Sequence, residues 1–252
     1  MRAAEVPVSA TVVPILFEAL SDPGSSSGQV AEVVGSDAGL AARVLAIANS
    51  AAFGRARQVG EIRSAVTLIG ANMVQTLAIA GSTSLLDGTG GLPHLRDHAI
   101  EAACASRLLA GCVGLPEADA FAAGLLHDIG ELLLWQSDAA AYSAARATWD
   151  DLDAQLRGER ALFDADHATV GRERLTEWGF PGAIIDAVGD HHRPDLHHHD
   201  LSTVVAAAEE LTGAHGTDSG RDRLRIGADE LDRVRAALVD QTAEMTTLLC
   251  GH

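Results

Sequence analysis

The sequence contains no lysine. All 18 basic residues are arginine, set among 35 carboxylates, and the formal net charge is −17. Binding along a nucleic-acid duplex needs clustered cations that displace counterions from phosphates. Arginines scattered through a nearly twofold excess of acids exclude broad nucleic-acid binding and adhesion to an anionic membrane. A small basic pocket for one nucleotide stays compatible with this balance. Aromatic residues make up 4% of the chain, and runs of Val, Ile, Thr and aromatics are scarce. That argues for an all-α protein. The three cysteines, Cys104, Cys112 and Cys250, have no C-x-x-C spacing, so buried free thiols in a reducing cytoplasm are expected. No apolar run reaches the ~18 residues of a membrane span, and residues 1–20 lack the apolar core of a secretory signal. The expected location is cytoplasmic, without membrane insertion.

What is present is helical patterning. At 252 residues the chain is one large domain or two small ones, long enough to bury a core. Residues 6–19 are apolar enough for a helix that Pro14 bends or ends early. The serines of 21–28 form a turn that caps a short helix over 29–34, and Asp37 caps a third helix ending at Asn49-Ser50. Two more helices, 61–69 and 72–86, break at Gly70. Asp87-Gly88-Thr89-Gly90-Gly91-Leu92-Pro93 is the best internal boundary. It divides an N-terminal lobe over 1–87 from a second lobe over 88–252, and it is short enough that the lobes pack together. The second lobe reads as helices over 95–113, from Pro116 through 134, and over 139–156, 164–178, 181–190, 201–212 and 228–249.

The run from Ala122 to Leu134 is apolar except for His127, Asp128 and Glu131. A buried imidazole and carboxylate cannot be left unpaired, because an isolated buried charge costs several kcal/mol or neutralises itself. Their partners are each other, polar groups on neighbouring helices, or a metal ion. Adjacent helical residues point about 100° apart. A metal shared between them requires the helix to end or distort here, and Gly130 makes that feasible.

Two stretches carry a family likeness. The first is Leu45-Ala46-Ile47-Ala48-Asn49-Ser50-Ala51-Ala52-Phe53-Gly54 with Ile62-Arg63-Ser64-Ala65-Val66-Thr67-Leu68-Ile69-Gly70. The second is Gly124-Leu125-Leu126-His127-Asp128-Ile129-Gly130, then His167-Ala168-Thr169-Val170-Gly171, Trp178-Gly179-Phe180-Pro181 and His191-His192-Arg193-Pro194. In order and spacing they resemble the HDOD family, the HD-related output domain of bacterial signalling proteins, from about residue 12 to the C-terminus. One departure is Ala38, where the family usually has proline after the aspartate. The resemblance implies an all-helical fold, an N-terminal helical bundle packed on an HD-type helical lobe.

The wider HD superfamily gives the polar residues a meaning. Its phosphohydrolases bind metal through an early His, the His-Asp doublet, a later Asp and, in some, further His residues. By that resemblance the candidate metal ligands are His98, His127, Asp128, His167, His191, His192 and Glu209, with Asp128 as the candidate catalytic group. A divalent ion (Zn, Mn, Fe, Mg or Ni) would be the cofactor. Glu209 replaces the usual Asp and is longer by one methylene. Glu131 stands where the cyclic-dinucleotide phosphodiesterase branch has Lys, and that branch's Gly-Tyr-Pro motif is absent. The alternative for the cluster is a degenerate pocket whose groups hydrogen-bond one another and fasten the helices.

Other polar residues carry two readings. Asn49 and Ser50 are either a helix C-cap and turn or a contact to a partner. Arg55 and Arg57, with Arg63, form an anion pocket or a solvated loop. Arg193 clamps a phosphate or caps a helix end. His197, His198 and His199 read as a surface loop, and Trp135, Trp149 and Trp178 as packing residues. The leading expectation is a non-catalytic regulatory module that binds a signalling protein or a small signal, with a homodimer compatible. The rival is a metal-dependent phosphohydrolase acting on a nucleotide or cyclic dinucleotide.

Overall fold

Side-chain caps set many of the helix starts. Ser26 and Gln29 form a reciprocal capping box, and Asp37, Asp138, Asp151, Asp166 and Asp200 each accept a hydrogen bond from a first-turn backbone N–H. The computed structural model describes residues 6–22, 24–53, 58–86, 92–193, 200–213 and 224–250. In chain order the helices are α1 (Val12–Ser21), α2 (Ser27–Gly35), α3 (Ala38–Asn49), α4 (Ile62–Ile69), α5 (Ala71–Ser82), α6 (Pro93–Val113), α7 (Glu117–Leu126), α8 (Ile129–Ser137), α9 (Ala139–Arg146), α10 (Leu152–Phe163), α11 (His167–Glu177), α12 (Gly182–Asp190), α13 (Leu201–Thr212) and α14 (Ala228–Cys250). A single 3-10 turn covers Ala51–Phe53, and no strand occurs among the described residues. The all-α expectation holds. No single described helix is long and apolar enough to cross a membrane.

Three of the boundaries that differ from the sequence reading have a plain local cause. Pro14 is the third residue of α1, where its missing N–H has no intrahelical acceptor to lose, so it helps start the helix rather than bend it. The helix expected over 139–156 is two, because Asp151 caps a fresh start at Leu152. His98 lies in the second turn of α6, since that helix begins at Pro93 and not near Leu95. The expected boundary falls largely on residues 87–91, outside the described residues.

Helices α1 to α5 pack on one another. In the second lobe α6 is the central rod, contacting α7, α13 and α14, while α11 packs on α8 and α12. Helix α14 also reaches back to α3. There the buried Arg43 guanidinium donates to the carbonyls of Leu249, Val6 and Gly39. Gln75 of α5 donates to the Trp178 carbonyl at 2.5 Å. One continuous apolar core runs through both sets of helices, an N-terminal bundle packed on an HD-type lobe.

Candidate metal centre

The chain leaves helical hydrogen bonding between Leu126 and Ile129, and His127 and Asp128 occupy the corner. The break solves the problem posed by two adjacent residues on one helix, because both side chains now face one point. Gly130 is required there. A Cβ on it would lie 1.9 Å from the carbonyl oxygen of His167, so only glycine lets α8 and the start of α11 meet.

The seven candidate ligands converge from α6, the α7–α8 corner, α11, the end of α12 and α13. Around one oxygen of Asp128, Oδ2, lie His127 Nε2 at 3.1 Å and His98 Nε2 at 3.5 Å. Glu209 Oε1 approaches His127 Nε2 to 2.7 Å. Around the other oxygen, Oδ1, lie His167 Nε2 at 3.4 Å and His191 Nε2 at 3.5 Å. His192 Nε2 is 2.9 Å from His167 Nε2. The result is two groups of four, His98, His127, Asp128 and Glu209, and Asp128, His167, His191 and His192, each with ligand atoms within 4.8 Å of one another. Asp128 belongs to both.

The imidazoles are oriented from behind. His127 Nδ1 faces the Gly124 carbonyl at 2.8 Å, His191 Nδ1 faces the Val188 carbonyl at 2.6 Å, and His167 Nδ1 faces the Glu159 carboxylate at 2.8 Å. An Nδ1–H donated outward leaves the Nε2 lone pair pointing inward, the arrangement of metal-ligating histidines. Glu159 is fully buried and also accepts from the His167 backbone N–H. Three inward atoms, Asp128 Oδ1, His191 Nε2 and Glu209 Oε1, are buried without an aligned hydrogen-bond donor. Such orphans are costly inside a protein; a cation in one group would meet Asp128 Oδ1 and His191 Nε2, and a cation in the other would meet Glu209 Oε1. The donor set therefore fits a divalent ion of the Zn, Mn or Fe kind.

Without a metal, protons take up the charge. Burial opposes a charge on His127, but the adjacent Asp128 and Glu209 outweigh it and hold its pKa well above the usual value. Burial likewise opposes ionisation of Asp128 and Glu209, yet His127 draws both well below the ordinary carboxylate range. His167 is raised to about 9, because the Glu159 hydrogen bond and the Asp128 charge exceed the effect of burial. Burial, then the charge of His191, pushes His192 well below the usual value.

A cavity of about 310 Å³ opens against this cluster, lined among others by His98, Asp128, His167, His192, Glu131 and Arg146. Glu131 is tied down by the Tyr142 hydroxyl at 3.1 Å and by Gln155. Burial and then Asp128 push its pKa up. The residues that sequence reasoning missed are Glu159, Gln155, Tyr142 and Arg146. They lie on α9 and α10, where polar residues read as a solvated face, and no motif marks them.

The remaining candidates lie elsewhere. Asn49 donates to the carbonyls of Leu45 and Val59 and accepts from the Val59 N–H, so it ties the end of α3 to Val59. Ser50 is buried, with its hydroxyl on the Ile47 carbonyl. Arg193 is exposed and lines a different cavity, of about 200 Å³, with Arg160 and Arg172. Arg55, Arg57 and the 197–199 histidines lie outside the described residues. The three tryptophans are half-buried, and Cys104, Cys112 and Cys250 form no disulfide among the described residues.

The same fold occurs in solved proteins. A Shewanella amazonensis SB2B protein, provisionally named a metal-dependent phosphohydrolase, superposes with a TM-score of 0.70 at 22% identity over 97% of this chain and 92% of its own. A Marinobacter aquaeolei VT8 protein, provisionally named a signal transduction protein, gives a TM-score of 0.65 at 21% identity over 98% of this chain and 60% of its own. Ribonuclease Y of Desulfotalea psychrophila is 29% identical over 121 residues, 48% of this chain and 18% of that enzyme. The chain spans well under half the length of these curated relatives. The family model for the HDOD domain matches residues 6–194, and the chain belongs to the HDOD family.

Proposed function

We propose that this chain is a regulatory HDOD module whose second lobe holds a pair of divalent cations and uses them to bind a small phosphorylated ligand. One observation carries the reading. Asp128 presents one carboxylate oxygen to each of two four-residue donor groups, and these share no other residue. A hydrogen-bonded packing cluster has no need of that division, or of three buried orphan atoms at its centre. His98, His127 and Glu209 would hold one ion, His167, His191 and His192 the other, and Asp128 both. Glu159 holds the His167 ring in the ligating orientation. Bound divalent ions supply positive charge that a phosphoryl group can coordinate. That charge is what a protein of net charge −17 otherwise lacks. The regulatory part rests on the family and on the signal-transduction name of a solved relative. In this reading ligand occupancy is passed to a signalling partner protein.

Hydrolysis is a second reading, favoured by Glu209. Its extra methylene does not withdraw it, since Oε1 lies among the imidazole nitrogens. An assay of metal-loaded protein on cyclic dinucleotides, nucleoside monophosphates and a chromogenic phosphodiester separates the two. The binding reading expects saturable ligand binding with negligible turnover. Turnover near ~1 per second, abolished by His127→Ala and Asp128→Ala, would replace it with hydrolysis.

A further inference from the structure

We infer that Arg146 is the residue that recognises the ligand's phosphate, acting from the wall of the same 310 Å³ cavity that the metal ligands line. This rests on the metal-pair reading of the same site. Most described arginines near carboxylates are already engaged. Arg107 pairs with Glu117, Arg160 with Asp166, Arg172 with Asp186 and Asp190, and Arg174 with Glu177. Arg146 makes no ion pair with any described residue, and its Nε is buried without a hydrogen-bond partner. A buried guanidinium donor left without an acceptor is costly. With no described carboxylate to neutralise it at the cavity wall, the rest of the guanidinium keeps its charge for an anion that enters.

The placement selects the chemistry. Arg146 ends α9 and lines the same cavity as His98, Asp128, His167 and His192. An anion in that cavity would meet the guanidinium as well as the bound cations. A guanidinium offers a planar fork of donors that matches phosphate oxygens in pairs. Glu131, the one other carboxylate in the lining besides Asp128, is held by Tyr142 and Gln155. The volume is at the small end for ligand pockets. It suits a phosphomonoester of about mononucleotide size and leaves most of a cyclic dinucleotide outside.

A bland role competes, since a cation in a helix's last turn also favours the helix dipole. The test uses the full chain, with and without Mn²⁺, and inorganic phosphate as probe in titration calorimetry. Mn²⁺ content is measured in parallel. The variants are Arg146→Ala, Arg146→Lys, and Arg157→Ala, which removes an exposed charge from α10. The expected result is phosphate binding that Arg146→Ala weakens at least tenfold with Mn²⁺ content unchanged. Arg146→Lys recovers part of it, and Arg157→Ala matches the parent. Arg146→Ala binding within twofold of the parent overturns the inference and leaves the metal reading standing. Phosphate binding that is indifferent to Mn²⁺ but lost in Arg146→Ala supports Arg146 and overturns the metal reading. No phosphate binding by the parent protein, with or without Mn²⁺, overturns the inference. Melting curves establish that each variant folds, and Arg146→Lys keeps the charge if Arg146→Ala does not.

Discussion

Replacing Gly130 by alanine adds one methyl group at the point where α8 meets α11. That methyl would sit 1.9 Å from the His167 carbonyl oxygen, 2.7 Å from its carbonyl carbon and 2.9 Å from its Cα. All three are backbone atoms, so no side chain can rotate away. Ordinary contact begins near 3.4 Å, and the two segments must therefore separate by about 1.5 Å. Overpacking of this kind costs ~1–3 kcal/mol, and for a chain of this size each kcal/mol lowers Tm by roughly 2–4 °C. The displacement falls on His167, on the Glu159 contact behind it and, through α8, on Asp128 at the corner, while His98 and Glu209 are carried by α6 and α13. Disturbing an outer partner of a metal ligand lowers affinity about 10–100-fold. Gly130→Ala should weaken both equivalents of Mn²⁺ through Asp128, and the equivalent held by His167 the more, by about 10–100-fold. Calorimetry with a parallel thermal melt reads both effects. An unchanged melt with two unperturbed equivalents would refute the close-approach argument. Equal weakening of both would refute the assignment of His167 to one ion only.

Three further outcomes follow from the same geometry. Glu209→Asp should weaken Mn²⁺ binding at least tenfold, because shortening withdraws an oxygen that now lies 2.7 Å from His127 Nε2. Tighter binding would show that the longer side chain is a defect. In metal-free protein the folded pKa of His167, about 9, lies above its ordinary 6.5. Its contribution to stability is therefore complete below pH ~6.5 and lost as pH rises towards ~9, a loss of at most roughly 3 kcal/mol. Melts of chelator-treated protein should fall across that window, and the fall should shrink in Glu159→Gln. A flat profile would contradict the ion pair. Asp166→Ala removes the α11 cap at Thr169 and the Arg160 pair, and should cost ~1 kcal/mol in a denaturant titration. No measurable loss would mean the cap contributes nothing to α11.

The helices were legible in the sequence because caps and glycines punctuate them. Asp37, Asp166 and Gly70 lie where the chain turns. The reading failed where a local signal was ambiguous, as at Pro14, which is harmless in a first turn, and at Asp151, a cap hidden in a polar stretch. The ligands themselves were legible only through the family likeness. No spacing in the chain says that His98 and His192 end near one carboxylate. The supporting residues were not legible at all. Glu159 and Gln155 lie on one face of α10, and a buried polar face has the same sequence pattern as a solvated one. Arg146 lies inside the helix expected over 139–156 with nothing to mark it, and only the fold places it at a cavity wall.

The claim that Asp128 joins two cation sites is tested most directly by metal stoichiometry. Untagged protein would be loaded with Mn²⁺, dialysed and measured by elemental analysis, beside Asp128→Asn and His98→Ala. The account predicts two ions per chain in the parent, near none in Asp128→Asn and one in His98→Ala. A parent chain that retains no ion, or an Asp128→Asn chain that keeps both, would contradict it.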